Sequence, residues 1–257
     1  MNFKTCLKLY STDVALIPEA GKLFQDGLFS YVELYIMPAS YQDTIDTWKG
    51  LDCPFVIHAP HSLHNVNLAQ AEKRESNKRH FHETCQFADT LGSDIIIVHS
   101  GSNGSFDETI EQLAMLNDDR IALENKPKVS IYNDEICAGY SPAEFQRAAD
   151  AGVLSGTALD FGHAVCAANS LNIDVGEIIQ GFLKFDPKIF HISDGDASSE
   201  KDTHYNLGRG NMDIPMFLSA VPDGGLVTLE TPRNPSTGLE DFIHDYNYLQ
   251  KTLLKAG

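Results

Sequence analysis

Residues 94–125 read DIIIVHSGSNGSFDETIEQLAMLNDDRIALEN, and this stretch decides the fold. Its two ends, DIIIVH (94–99) and RIALEN (120–125), are short apolar runs of the kind found in parallel strands covered on both faces. A polar loop and a helical pattern lie between them, which makes one strand–helix–strand unit. Each strand closes on a side chain with metal-ligand chemistry, His99 and Glu124.

The unit recurs in both directions. FKTCLKLY (3–10), YVELYI (31–36), PFVIH (54–58), GTALDF (156–161), KIFHIS (188–193) and GLVTLET (225–231) complete a set of eight strands. Residues 69–91 form the longest helical pattern. SPAEFQRAADAG (141–152) has a Ser N-cap, a Glu at the capping-box position and a closing Gly. The last helical segment, LEDFIHDYNYLQKTLLK (239–255), has acids in its first turn and lysines at its end, complementing the helix dipole. Eight such units in 257 residues predict an α/β fold, a single (β/α)8 TIM barrel spanning 1–257 as one domain. An open doubly wound sheet is the alternative, but no glycine-rich dinucleotide turn follows any strand.

Composition bounds the function. Apolar residues make up 42% and charged residues 21%, as in globular proteins. No apolar run approaches the ~20 residues of a membrane helix, and MNFKTCLKLYSTD contains no signal-peptide core. A soluble cytoplasmic monomer with no membrane partner is expected. Lys+Arg 19 against Asp+Glu 36 gives a net charge of −17, which argues against the simplest nucleic-acid binder. The densest basic stretch, KRESNKRH (73–80), reads as a solvated helix face. Bound divalent cations would reverse the potential locally. The five cysteines include no C-x-x-C pair and read as free thiols.

The ligand-type residues carry the chemistry. His58, His99, Glu124 and Asp160 end strands three to six, with His163 three residues beyond Asp160; His191 and Glu230 lie near the ends of strands seven and eight. The loop after strand seven adds Asp202 and His204, whose i, i+2 spacing points both side chains one way in extended backbone. Taken singly, each is a hydrogen-bonded rim residue or a helix cap. Together they place four carboxylates and five imidazoles in one barrel mouth, where without cations the carboxylates would repel or protonate. Imidazole and carboxylate without thiolate suit zinc, manganese or iron. With bridging carboxylates, nine ligands suit three ions.

FVIHAPHSLHNVN, IIVHSGS, IALEN, ALDFGHA, FHISDG with KDTHYNLGRG, and VTLETP follow in the order of the signature blocks of endonuclease IV, which this sequence resembles over 54–232. That family is AP endonuclease family 2 of the xylose-isomerase-like barrels. The resemblance implies a first zinc on His58, His99 and a bridging Glu124. It implies a second on Glu124, Asp160, His191 and Glu230, and a third on His163, Asp202 and His204. It further implies hydrolysis of the phosphodiester 5′ to abasic sites in DNA, by a metal-activated hydroxide that Glu124 or Glu230 orients.

The departures fall in the DNA-gripping parts. The family's inserted arginine has no counterpart in MPASYQDTIDTW (37–48), and the block after His58, at 61–68, has no tyrosine. These two segments are read as altered loops at the mouth. Arg209, between Gly208 and Gly210, and His61 are the candidate substrate contacts. The alternatives are a small phosphorylated sugar as the hydrolysed substrate, a one-metal sugar isomerase or epimerase in which Glu124 and Glu230 exchange the proton, and a non-catalytic barrel.

Overall fold

The computed structural model describes residues 3–131 and 133–256. Eight parallel strands close on themselves: β1 (Lys4–Tyr10), β2 (Tyr31–Tyr35), β3 (Phe55–His58), β4 (Ile96–His99), β5 (Ile121–Glu124), β6 (Thr157–Asp160), β7 (Ile189–Ile192) and β8 (Leu226–Leu229). Each pairs with its chain neighbours, and β1 closes against β8. The outer ring holds α1 (Ile17–Gln25), α2 (Tyr41–Trp48), α3 (Arg74–Leu91), α4 (Phe106–Leu116) and α5 (Pro142–Asp150). It continues with α6 (Phe161–Leu171) and α7 (Val175–Leu183), both between β6 and β7, then α8 (Ile214–Ala220) and α9 (Glu240–Ala256). This is the TIM barrel that the sequence pattern predicts. No helix of the described residues is long and apolar enough to cross a membrane.

The expected strands overrun the observed ones only at their ends. The helix expected over 69–91 starts at Arg74, after a 3-10 turn at Ala71–Lys73. At the start of α5 the capping box is formed in both directions between Ser141 and Glu144.

The segment 37–48 needs correction. Only its first four residues are irregular, with Met37 lining a hollow beside Lys8 and Glu230; the other eight form α2, a helix of the outer ring. Thr44, Ile45 and Trp48 share its buried face, since positions i, i+3 and i+4 align on a helix. Trp48 packs edge-on against Phe55 and donates its indole N–H to the Ser11 carbonyl at 2.7 Å.

Strand alternation builds the barrel interior in layers. Cys6, Tyr31, Val56, Ile97, Ala122, Ala158 and Ile189, one from each of the first seven strands, form an apolar floor. Two residues further along the same strands stand Lys8, Glu33, His58, His99, Glu124, Asp160 and His191. A single pleat period therefore separates a dry apolar plug from a layer made almost wholly of ionisable groups.

Trp48→Ala removes a fully buried indole and its hydrogen bond. Destabilisation of about 3–5 kcal/mol is expected, measured as a lowered urea midpoint by far-UV circular dichroism.

Candidate metal centre

The nine ligand-type residues singled out from the sequence fall into three groups. His58, His99 and Glu124 form one, Glu124, Asp160, His191 and Glu230 a second, and His163, Asp202 and His204 a third. Within each group the donor atoms lie within 4.8 Å of one another, and Glu124 belongs to two groups.

Register and caps put them there. His99 pairs across the sheet with Glu124, and Asp160 with His191, so these side chains emerge side by side on one face. Asp160 is also the N-cap of α6, where its Oδ1 accepts the His163 backbone N–H at 2.6 Å. The cap reading and the ligand reading of Asp-x-x-His therefore coexist: the cap bond folds His163 back over Asp160. Asn125 locks the arrangement. Its side chain exchanges hydrogen bonds with the Asp160 backbone at 2.7 and 2.9 Å, and its carbonyl accepts His163 Nδ1–H at 2.8 Å.

Asp202 and His204 sit on a long excursion after β7 that is pinned by Asp194. The Asp194 carboxylate is buried and accepts the backbone N–H groups of Gly195, Gly208 and Met212 at 2.9–3.1 Å. Asp194 also pairs through its backbone with Tyr205. His204 is held at φ 29, a strained conformation for a non-glycine residue.

The histidines are oriented for ligation. His58 Nδ1–H donates to the Ala59 carbonyl at 2.8 Å and His204 Nδ1–H to the Glu230 carbonyl at 2.7 Å. His191 Nε2–H donates to Glu33 at 2.9 Å. With His163 this makes four rings whose second nitrogen is spent on a backbone or carboxylate oxygen, the arrangement that fixes the tautomer of a metal ligand. On two of these rings and on four carboxylates the facing atoms are orphaned. His58 Nε2, His191 Nδ1, Glu124 Oε1, Asp160 Oδ2, Asp202 Oδ1 and Glu230 Oε2 are buried without a hydrogen-bond partner. His191 Nδ1 and Glu230 Oε2 are only 2.6 Å apart yet lack hydrogen-bond geometry. These donors converge on common points rather than on each other, so the residues fit divalent cations.

The electrostatics agree. Burial raises the Asp160 carboxyl, and Glu230, Asp202 and Glu124 outweigh the help of His163 and keep it raised. Burial pulls His204 down, but Asp202 outweighs it and lifts the ring to about 9. Carboxylates so crowded hold protons on their neighbours unless cations replace them.

A family model described as xylose isomerase-like TIM barrel matches residues 43–252. The chain belongs to the xylose isomerase-like TIM barrels. It is 27% identical over 201 residues to a protein of Mycobacterium tuberculosis named "Probable endonuclease 4", covering 72% of this chain and 75% of the relative. The structure of endonuclease IV from Thermus thermophilus superposes with a TM-score of 0.66 at 18% identity, covering 96% and 99% of the two chains. A D-tagatose 3-epimerase-like protein superposes with a TM-score of 0.73 at 19% identity, covering 99% and 100%. The fold is thus similar to those of both an endonuclease and an epimerase-like protein.

Within this xylose isomerase-like barrel, several site residues escape a search of strand ends. Glu33 is fully buried and receives Thr228 Oγ1–H at 2.6 Å. Burial raises its carboxyl, but His191 and Lys8 outweigh it and bring it down to about 2. Lys8 bridges Glu33 at 3.0 Å and Glu230 at 2.7 Å. Glu33 is the single charge of YVELY, and Lys8 stands among apolar residues in KTCLKLY; a charge inside an apolar run is the signal that could have found them.

A cavity of about 530 Å³ opens over the groups, floored by His99, His163, Asp202, His204 and Glu230. His61 lines it, stacked on His99 with ring centroids 4.7 Å apart. Arg209 does not line it and is exposed on the surface. The glycines beside it serve packing: a Cβ at Gly210 would strike Gly195 O and Asp194 Oδ1. The cations that do line the cavity are Lys8, Lys126 and Arg233.

Asp194→Ala leaves three backbone N–H groups without their acceptor. Hydrogen exchange over 195–212 should rise at least tenfold, read by mass spectrometry, while exchange in β3–β5 stays unchanged.

Proposed function

We propose that this chain is a metal-dependent hydrolase of phosphate esters, of the endonuclease IV kind, with zinc in the three groups. The observation that carries the reading is Glu124, which stands in two groups at once and so makes a multinuclear centre suited to displacement at phosphorus. Bound divalent ions would supply Lewis acidity and make water a nucleophile near neutral pH.

The chain's own residues do the rest. Glu230 keeps Oε1 on Lys8 and leaves Oε2 toward the second group, so its carboxylate is fixed in orientation and able to take the proton of an attacking water. Glu124, buried among His58, His99, His163 and His191, is the shared ligand. His61 forms part of the cavity wall beside His99, where an incoming ester must pass.

Two ester classes fit. DNA incised 5′ to an abasic site is supported by the sequence blocks and by the mycobacterial relative. A small phosphorylated sugar is supported by the net charge of −17 and by the three cations, Lys8, Lys126 and Arg233, that line the cavity. The likeness to an epimerase-like barrel favours a second reading, a sugar isomerase or epimerase, which needs one ion and leaves His163, Asp202 and His204 without a task.

Elemental analysis of zinc-loaded protein should find three ions per chain, one for each group, and the pair His163→Ala with Asp202→Asn should lower the count to two. A count of one in the unaltered chain would favour the isomerase reading. Nicking of a duplex with a single abasic site, run beside hydrolysis of bis(p-nitrophenyl) phosphate, tests the chemistry. Glu230→Gln and chelation should each reduce turnover by about 10²-fold or more. Three ions with neither reaction would sink the hydrolase reading.

A further inference from the structure

The cavity sets cations beside its carboxylates, Asp202 and Glu230. A chain with a net charge of −17 lines one opening with Lys8, Lys126 and Arg233. Two of these have resident partners. Lys8 is committed to Glu33 and Glu230. Arg233 donates Nη2–H to Asp13 at 2.7 Å, and the same Asp13 oxygen accepts the Tyr10 backbone N–H at 3.0 Å. Asp13 thus holds the guanidinium at the rim, with donors of its five-donor fork left over.

Lys126 differs. It follows the shared ligand Glu124 by two residues, it is half-buried, and among the described residues no carboxylate pairs with it. It lines the same cavity as His99 and His61. Among the described residues its ammonium has no carboxylate counter-ion, and an anion entering the cavity supplies one.

We infer that Lys126 and Arg233 form an anion subsite above the metal centre, and that the substrate is a compact phosphate ester carrying a second anionic group, phosphate or carboxylate. The inference rests on the hydrolase reading, in which the first phosphate lies at the three metal groups. The volume of about 530 Å³ falls within the range of small-molecule sites. Leu63 and Ile131, 58% and 49% exposed, stand at the same opening and offer apolar contact to a carbon skeleton. A second hollow of about 310 Å³ adjoins it across Lys8, His61 and Glu230, which leaves room for the leaving group.

Isothermal titration of zinc-loaded protein with two matched probe pairs tests this. The pairs are 3-phosphoglycerate against glycerol 3-phosphate, and fructose 1,6-bisphosphate against fructose 6-phosphate. In at least one pair the doubly anionic member should bind about tenfold more tightly. Lys126→Met and Arg233→Met should each bring that preference toward unity with the zinc content unchanged. The carboxylate and phosphate arms show which anion the subsite takes. Equal affinities in both pairs, or a preference that survives both substitutions, overturn the subsite. Tight binding of a short abasic duplex that is lost in Lys126→Met would place a backbone phosphate there and overturn the compact substrate. Hydrolysis of bis(p-nitrophenyl) phosphate is scored separately: its absence beside an intact preference removes the hydrolase reading and leaves the anion subsite standing.

Discussion

Closing eight parallel strands into a barrel sends one pleat position of every strand into a common interior layer, and in this chain that layer carries Glu33, Glu124 and Asp160, with Glu230 at its rim. Two carboxylates about 4 Å apart repel by about 4 kcal/mol at the effective dielectric of a protein. Lys8 neutralises only part of this, because its one ammonium is shared by Glu33 and Glu230. The remaining carboxylates must hold protons, protonate the imidazoles or bind cations. The orphaned donor atoms and the pinned second nitrogens of four histidines favour the last of these.

The rest of the architecture is arranged around that cost. The apolar floor one pleat period below keeps water out from the N-terminal side and lets the charged layer sit on a packed base. Asn125 and Asp194 hold the two parts of the site that no strand carries, the α6 cap and the excursion after β7. Each accepts or donates several hydrogen bonds at once, and the strain at His204 persists because Asp194 fixes the excursion around it.

How much of this was legible follows from which signals are local. The strands show as apolar runs, and a ligand-type residue at a strand end stands out against such a run, as His99 does in DIIIVH and Glu124 in RIALEN. Lys8 and Glu33 lie in mid-strand, where a charge has meaning only once closure places it beside the metal groups. Residues 37–48 read as a loop because they stand where the resembling family grips DNA. The helix is set instead by tertiary burial of Ile45 and Trp48. Arg209 reads as a substrate contact because it stands on a glycine-flanked loop beside His204; in the structure it is exposed and does not line the cavity, and Gly210 packs against Gly195 and Asp194. Lys126 and Arg233 carry no local signal; only the fold brings loops after β5 and β8 to one cavity.

Net charge alone does not choose between a polymer and a compact ester. Three divalent ions offset only six of the seventeen excess negative charges. Yet at physiological salt the Debye length is about 8 Å, so most of the distant acidic surface is screened from a phosphate at the metal groups. What counts is the charge within that radius, and there Lys8 is already neutralised, Arg233 is half-spent on Asp13, and Lys126 is unpaired among the described residues. A compact ester keeps both of its charges inside the cavity, so every anionic group it carries meets either the metal centre or a cation. On the anion-subsite proposal, the local arrangement therefore rewards a short substrate with two charges.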